Sequence, residues 1–389
     1  MHVQIKEAVA AEFSQTVAFR RYLHQHPTPS FCEGPTTAYL CEQLELAGIS
    51  YRRCGANGIV ARICGSRPGP CIAFRADFDA LEIQEPEGLP YASQNPGVMH
   101  ACGHDAHAAC LLSLARLFKE HTDWIAGEVV FIFQYAEELP PGGAGPMIED
   151  GCLDGVDRIY GFHVSDELES GTVGVCSGKY MAASDSVFIE FTGNGGHGSR
   201  PGETQDTVAA AAQAICQINT IISRFVSPLR SAVISICNIH GGICYNVIPD
   251  KVRLEGTVRT YEKETAELIA EKIKQAAKSA ADMYGTEMSY EFRYGYPAVV
   301  NHERETELVC KAARVLGLPL QQIEPTPVGE DFSRYLERVP GTFFRIGIRN
   351  EGLNAVYPLH NRLFALDETA MSVALEMFLN TYLLDTQQL

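Results

Sequence analysis

The sequence predicts an α/β fold: a mostly parallel central sheet with helices on both faces, interrupted by an inserted ferredoxin-like α+β lid. Three observations carry that expectation. Short runs rich in β-branched and aromatic residues alternate with stretches of helical period. That alternation changes character between about residues 184 and 296. The chain's 389 residues also exceed what one hydrophobic core usually supports.

Taken in order, residues 5–25 are helical by period, and residues 35–47 repeat the pattern before the turn Ala47-Gly48. Gly58-Ile-Val-Ala-Arg-Ile, Cys71-Ile-Ala-Phe-Arg, Val129-Val-Phe-Ile-Phe-Gln and Arg158-Ile-Tyr-Gly-Phe read as buried strands. Helical stretches follow Gly103 and Pro146. Such an alternation places a ligand site beyond the C-terminal ends of the strands. The inserted segment reads as strand (186–191), helix (207–222), strand (232–238), strand (252–260), helix (265–283) and strand (287–292). That order is a split βαβ unit. After Pro297 come helices at 306–316 and 331–339 and a strand at 342–348. Residues 1–183 and 297–389 are therefore expected to form one catalytic domain, with residues 184–296 as its lid. The lid strand 252–260 and the helix after it offer an edge through which two lids join.

Charge narrows the class of partner. With 31 basic and 48 acidic side chains the net charge is -17, which repels phosphate backbones and anionic lipid surfaces, so nucleic acid and membrane partners are disfavoured. The opening Met1-His-Val-Gln-Ile-Lys-Glu lacks a basic segment followed by an apolar one, and no apolar run reaches bilayer length. Thirteen cysteines, an odd number without paired spacing, argue for reduced thiols. A cytoplasmic protein is expected.

Divalent metals require clustered Cys, His and carboxylate groups, and Met99-His-Ala-Cys-Gly-His-Asp-Ala-His107 is the densest such cluster. Gly103 and the apolar positions after His107 predict a tight turn feeding a helix, which aims Cys102 and His104 into a cleft. Metal-bound imidazoles usually donate their second N–H to a carboxylate, so Asp105 or Asp77 is a candidate to orient a ligand histidine. A helix N-cap is the other reading of Asp105.

Gln134-Tyr-Ala-Glu137-Glu138 directly follows an apolar strand and precedes the glycine-rich Pro141-Gly-Gly-Ala-Gly145. Adjacent carboxylates at a strand end repel unless a positive charge sits near them. A metal supplies it: one glutamate ligates while its neighbour, held off the metal, takes a proton from water. His163 and His360 are lone histidines at the ends of apolar segments. As such they are more often structural residues than ligands.

Together these residues resemble the amidohydrolase branch of the co-catalytic di-metal aminoacylase and carboxypeptidase family, which includes hippurate hydrolases and N-acetyldiaminopimelate deacetylases. The likeness runs through Arg21-Tyr-Leu-His24-Gln-His-Pro27, Phe74-Arg-Ala-Asp77-Phe-Asp79-Ala-Leu81, the Cys102 segment, Glu137-Glu138 and Gly161-Phe-His163. It continues through Gly196-His197-Gly-Ser-Arg-Pro201, Asn246-Val-Ile-Pro249, Gly329-Glu-Asp-Phe332 and Leu359-His360. One departure is Pro27-Thr28-Pro29-Ser30, where close relatives commonly follow His-Pro with Glu-Leu.

The resemblance implies a zinc-exopeptidase-like catalytic domain and two divalent ions held by Cys102, His104, Glu138, His163 and His360, with Cys102 bridging. It makes Glu137 the general base. His197 stabilises the oxyanion, in many relatives from the partner subunit of a homodimer. Asn246 and Arg259 contact the substrate carboxylate, although Arg259 also reads as a surface strand charge. A thiolate with three imidazoles favours zinc over manganese, nickel or cobalt. The activity implied is hydrolysis of N-acyl-L-amino acids to a carboxylic acid and an amino acid. Its close alternative is a dipeptidase or carboxypeptidase, since both break an amide beside a free carboxylate.

Overall fold

The computed structural model describes residues 2–388. Helices α1 (His2–Gln25) and α2 (Gly34–Leu46) precede strands β1 (Tyr51–Cys54), β2 (Gly58–Cys64) and β3 (Arg67–Asp77). Helix α3 (His104–Glu120), strand β4 (Ala126–Gln134), helix α4 (Ala144–Glu149) and strands β5 (Arg158–Glu169), β6 (Val173–Val175) and β7 (Gly178–Met181) follow. Then come β8 (Ala183–Thr192), β9 (Gly196–His197), α5 (Thr207–Ile218), α6 (Ile221–Phe225), β10 (Ala232–Gly241), β11 (Val247–Ile248) and β12 (Lys251–Thr260). The remaining elements are α7 (Lys263–Tyr284), β13 (Glu287–Tyr296), β14 (Val299–Asn301), α8 (Glu303–Leu316), β15 (Leu320–Gln322), α9 (Ser333–Leu336), β16 (Gly341–Arg349) and α10 (Ala370–Asp385).

The chain forms two compact units. The first holds the residues up to Tyr180, Val300–Glu324 and those from Asp331; the second holds Met181–Val299 and Pro325–Glu330. That short return of 325–330 into the second unit is marked by no boundary in the sequence.

The first unit is built on an eight-stranded sheet in the order β1-β2-β4-β3-β5-β16-β6-β15. Strands β4, β3, β5 and β16 run parallel, while β1, β2 and β4 pair antiparallel at one side. The parallel strands are apolar almost throughout because both faces are covered. Phe74 on β3 meets Phe378 of α10 at 4.7 Å and Phe118 of α3 at 6.5 Å between ring centroids. Its neighbour Arg75 turns to the other face. There the guanidinium bonds Asp331 at 2.9 Å and lies 5.8 Å from the Phe332 ring, beside α9.

Several elements differ from expectation for physical reasons. The expected helix 331–339 contracts to α9 because Asp331 is drawn into the buried network with Arg75 and Gln134. No element is expected after residue 348, yet α10 is sixteen residues long and buried along most of its length. Its sequence is apolar on nearly every side, so no 3.6-residue face stands out to be read.

The second unit carries a four-stranded antiparallel sheet, β10-β12-β8-β13, covered by α5 and α7. The expected single helix 207–222 is two helices. The Thr220 hydroxyl donates to the Gln217 carbonyl at 2.7 Å, competing with the backbone ladder where α5 stops. Strand β12 is interior, paired with both β10 and β8, so residues 252–260 offer no edge. The edges are β10 and β13.

Candidate metal centre

Strand ends and a helix start converge in the first unit. β3 ends at Asp77, in register with Gln134 at the end of β4, and His163 on β5 is in register with Arg345 of β16. Side chains at these ends occupy the crevice where open α/β sheets bind ligands. Cys102 and His104 arrive on the turn that enters α3. Gly103 between them has φ 83°, and a Cβ there would stand 2.6 Å from Val164 Cγ2. Neither the backbone nor the packing accepts another residue at that position.

Six expected residues come together. Cys102 Sγ lies 3.4 Å from His163 Nε2. Glu138 Oε1 lies 3.8 Å from His104 Nε2 and 3.3 Å from His360 Nε2. Among these six residues three trios have ligand atoms mutually within 4.8 Å: Cys102 with His104 and His163, Cys102 with Glu138 and His360, and His104 with Glu137 and Glu138. The first two share the thiol.

These donors fit divalent ions. Ligand bonds of ~2.0–2.3 Å in tetrahedral array separate neighbouring donor atoms by roughly 3.5 Å, close to the spacings found. His104 Nε2 and Glu138 Oε1 are buried and make no hydrogen bond. Buried polar atoms left unsatisfied are costly, and a shared cation resolves both.

The electrostatics agree. Burial, then Glu138 and Glu137, push the Cys102 thiol well up. Burial works against charge on His104, but the Asp77 and Asp79 carboxylates override it and push the imidazole up to about 10. His163 is pushed well down by burial and by Arg345. Its Nδ1–H donates to the Val164 carbonyl at 2.7 Å, which leaves the Nε2 lone pair facing Cys102.

Supporting carboxylates are distributed differently from expectation. The group behind His104 is Asp79: its carbonyl and Oδ1 accept from Nδ1 at 3.0 and 3.1 Å. Asp77 instead bonds His107 Nδ1 at 2.6 Å and Arg75 at 2.6 Å, and stands 3.9 Å from His104. Asp105 faces no candidate ligand. Its Oδ2 takes Arg20 Nε and His24 Nδ1, both at 2.8 Å, while His24 Nε2 reaches Glu85 at 2.9 Å. Its side chain caps no helix either, because Gly103 occupies that position. Asp79 lies two residues beyond Asp77 in the motif Asp77-Phe-Asp79, just past the end of β3, and that spacing is the signal that could have found it.

In the second unit, β9 and β11 form a two-stranded ribbon that sets His197 opposite Val247, with the Gly198 N–H donating to the Asn246 carbonyl at 2.8 Å. Gly195, at φ 55°, is needed there: a Cβ would lie 2.8 Å from the Ile248 carbonyl oxygen. His197 Nδ1 accepts the Ser199 backbone N–H at 3.1 Å, so the neutral ring carries its proton on an exposed Nε2. Arg259 is apart from this ribbon, on β12. Its guanidinium is held by the Thr257 hydroxyl and the Val258 carbonyl, and among the described residues it forms no ion pair.

The chain is similar to several known proteins. The sequence profile described as "Peptidase family M20/M25/M40" matches residues 73–382. An "N-acyl-L-amino acid amidohydrolase" from Geobacillus stearothermophilus is 41% identical over 301 residues, 77% of this chain and 81% of that one. "Thermostable carboxypeptidase 1" from Saccharolobus solfataricus is 37% identical over 362 residues, 92% of each chain. A crystal structure from Bacillus subtilis, described as a dinuclear metal-binding peptidase of the M20 family, superposes with a TM-score of 0.85 at 35% identity, covering 98% of this chain and 100% of that one.

Proposed function

Since the chain belongs to peptidase family M20/M25/M40, we propose that it hydrolyses the amide bond of N-acyl-L-amino acids, releasing a carboxylic acid and a free amino acid. The observation that carries this reading is a cluster of metal donors, buried at Cys102, His104 and His163 and open at His360, with a second carboxylate, Glu137, beside it. A structural site closes its coordination sphere and needs no such neighbour.

Cys102, His104, Glu138, His163 and His360 would hold two divalent ions, with Cys102 common to both. The donor chemistry favours zinc, with manganese, nickel or cobalt as competitors. Such ions supply Lewis-acid polarisation of an amide carbonyl and make nearby water more acidic. Glu137 takes a proton from the attacking water and delivers it to the leaving nitrogen. Asp79 keeps His104 oriented, and Asp77 holds the neighbouring His107. His197 Nε2–H donates to the developing oxyanion, a contribution of about 3 kcal/mol. Arg259, half-buried and among the described residues without an ion pair, suits the substrate carboxylate, and Asn246 is assigned a second contact to it.

The second unit is assigned to homodimer formation, with His197 delivered by the partner chain. Edge strand β10 exposes Val233 and Ile239, and the loop beyond it exposes Ile243 and Tyr245. Apolar side chains along an open edge invite pairing with a second copy. The charge of -17 fits a small-molecule substrate better than nucleic acid or a membrane surface, and thirteen cysteines suit the reducing cytoplasm. Among the described residues no helix is long and apolar enough to cross a membrane.

Peptide hydrolysis is the second reading, favoured by the carboxypeptidase relative. A panel of N-acyl amino acids and dipeptides, assayed with zinc or manganese added and the metal counted by mass spectrometry, tests both. Two ions per chain and a higher kcat/KM for acyl substrates are expected. One tightly held ion with no amide hydrolysis would refute the assignment.

A further inference from the structure

Glu33 is among the buried carboxylates that the acylase chemistry leaves unused. Glu33 stands at the start of α2, fully buried. Its Oε1 accepts two backbone N–H groups, those of Phe31 at 2.8 Å and Ala136 at 2.9 Å, and its Oε2 accepts Asn57 Nδ2 at 2.8 Å.

Both backbone groups belong to unusual residues. Phe31 has φ 65° and Ala136 has φ 50°, a left-handed conformation that side-chain-bearing residues seldom adopt. Such a conformation persists only where its surroundings over-determine it, and it clusters at functional sites. Ala136 is the residue immediately before Glu137. Its carbonyl accepts the Gly143 N–H at 3.1 Å, so both polar groups of its backbone are fixed. On the far side of Glu137, the Glu138 N–H is held by Asp79 Oδ2 at 3.0 Å, and Ser30 Oγ donates to the same oxygen at 2.7 Å. The segment from Ser30 to Glu33 therefore braces the Glu137-Glu138 dipeptide from two sides.

We propose that Glu33 is a positioning residue for the general base: by holding the Ala136 N–H it locks the left-handed turn that aims Glu137. This rests on the reading of Glu137 as base. Releasing the turn lets residue 136 relax towards negative φ, and the Glu137 side chain swings away from its working position. The candidate ligand Glu138 keeps its own anchor, because its N–H is held by Asp79 and not by Glu33, and the other four ligands lie on other segments. Misplacing a base by about 1 Å costs on the order of 100-fold in turnover without altering ground-state binding.

The experiment compares Glu33→Ala, Glu33→Asp, Glu33→Gln and the double variant Glu33→Ala with Ala136→Gly. Glu33→Ala and Glu33→Asp, the latter too short to reach Ala136, are expected to lower kcat by about 10-fold to 100-fold at near-constant KM, with metal content unchanged. Glu33→Gln keeps an acceptor oxygen for Ala136 and retains most of kcat. Glycine at 136 adopts the left-handed conformation without help and restores part of the loss in the Glu33→Ala background. Hydrogen–deuterium exchange on metal-free protein gives a readout apart from activity: the peptide spanning residues 134–143 exchanges faster in Glu33→Ala and Glu33→Asp. Unchanged exchange there, an unchanged kcat, or no recovery with Ala136→Gly would overturn the proposal. Glu137→Gln in the same assay separates the two claims. Full activity in that variant defeats the base assignment, while the exchange data still report on the brace.

Discussion

Asp79 Oδ1 accepts the Nδ1–H of His104 at 3.1 Å, and its Oδ2 accepts the Glu138 backbone N–H at 3.0 Å. One carboxylate thus fixes two candidate ligands that approach from different elements, a helix start and a strand end. Replacing it by asparagine removes the charge that holds the His104 tautomer. Asp79→Asn should weaken metal binding by about 10-fold to 100-fold, read by competition with a chromophoric chelator. Wild-type affinity would show that His104 needs no such support.

Glu137 is assigned a proton-transfer role and Glu138 a ligand role, although they are neighbours in sequence. Glu137→Gln should retain both metals and bind substrate with an ordinary KM, while kcat falls by about 100-fold to 10,000-fold. Glu138→Gln should lose metal first. Equal metal loss in the two variants would mean that the roles are not divided as stated.

Gly103 separates Cys102 from His104 with φ 83°, and Val164 fills the space a side chain would need. Gly103→Ala combines backbone strain with overpacking, so a loss of about 2 kcal/mol is expected in urea unfolding of the metal-free protein. Metal content as purified should fall as well, because the turn aims both donors.

What the sequence revealed follows the distance over which each feature is encoded. The Cys102-Gly-His104 turn is local chemistry with a glycine to mark it, and the Glu137-Glu138 pair announces itself by following an apolar strand. Asp79 is present in the same motif as Asp77, but which imidazole each carboxylate meets depends on how α3 docks on β3. Glu33 and Ala136 are 103 residues apart, and no pattern in either segment connects them. The partner of Asp105 was equally hidden, since Arg20 and His24 lie on α1. Strand order is not written in strand propensity, so the sequence reads β12 as an edge although β10 and β13 are the edges.

His24 is buried between Asp105 and Glu85. Burial and Arg20 oppose its protonation, yet hydrogen bonds to the two carboxylates hold its pKa above the ordinary value. A group raised in this way stabilises the fold fully below its unfolded value of about 6.5, and the contribution is lost as pH rises through the folded value. Wild-type protein should therefore exceed His24→Gln in stability by about 2 kcal/mol at pH 6, and the gap should narrow at pH 9. Denaturant titrations of the metal-free proteins at both pH values decide this. A gap that widens with pH would reverse the sign and place the proton elsewhere.

His197 presents an exposed Nε2–H because Ser199 occupies Nδ1. If the partner chain supplies this donor, two inactive variants complement each other. Glu137→Gln lacks the base but carries a sound His197; His197→Ala lacks the donor but carries a sound base. In a mixed dimer, the site of the His197→Ala chain receives its donor from the Glu137→Gln chain and is complete. Random exchange of equal amounts makes half of the dimers mixed, each with one complete site of two, so about a quarter of wild-type activity should return. Ile239→Lys puts a charge on the β10 edge and should yield monomers in analytical ultracentrifugation, with activity falling alongside. Mixed dimers that stay inactive would require His197 to act within its own chain, and fully active monomers would require the same.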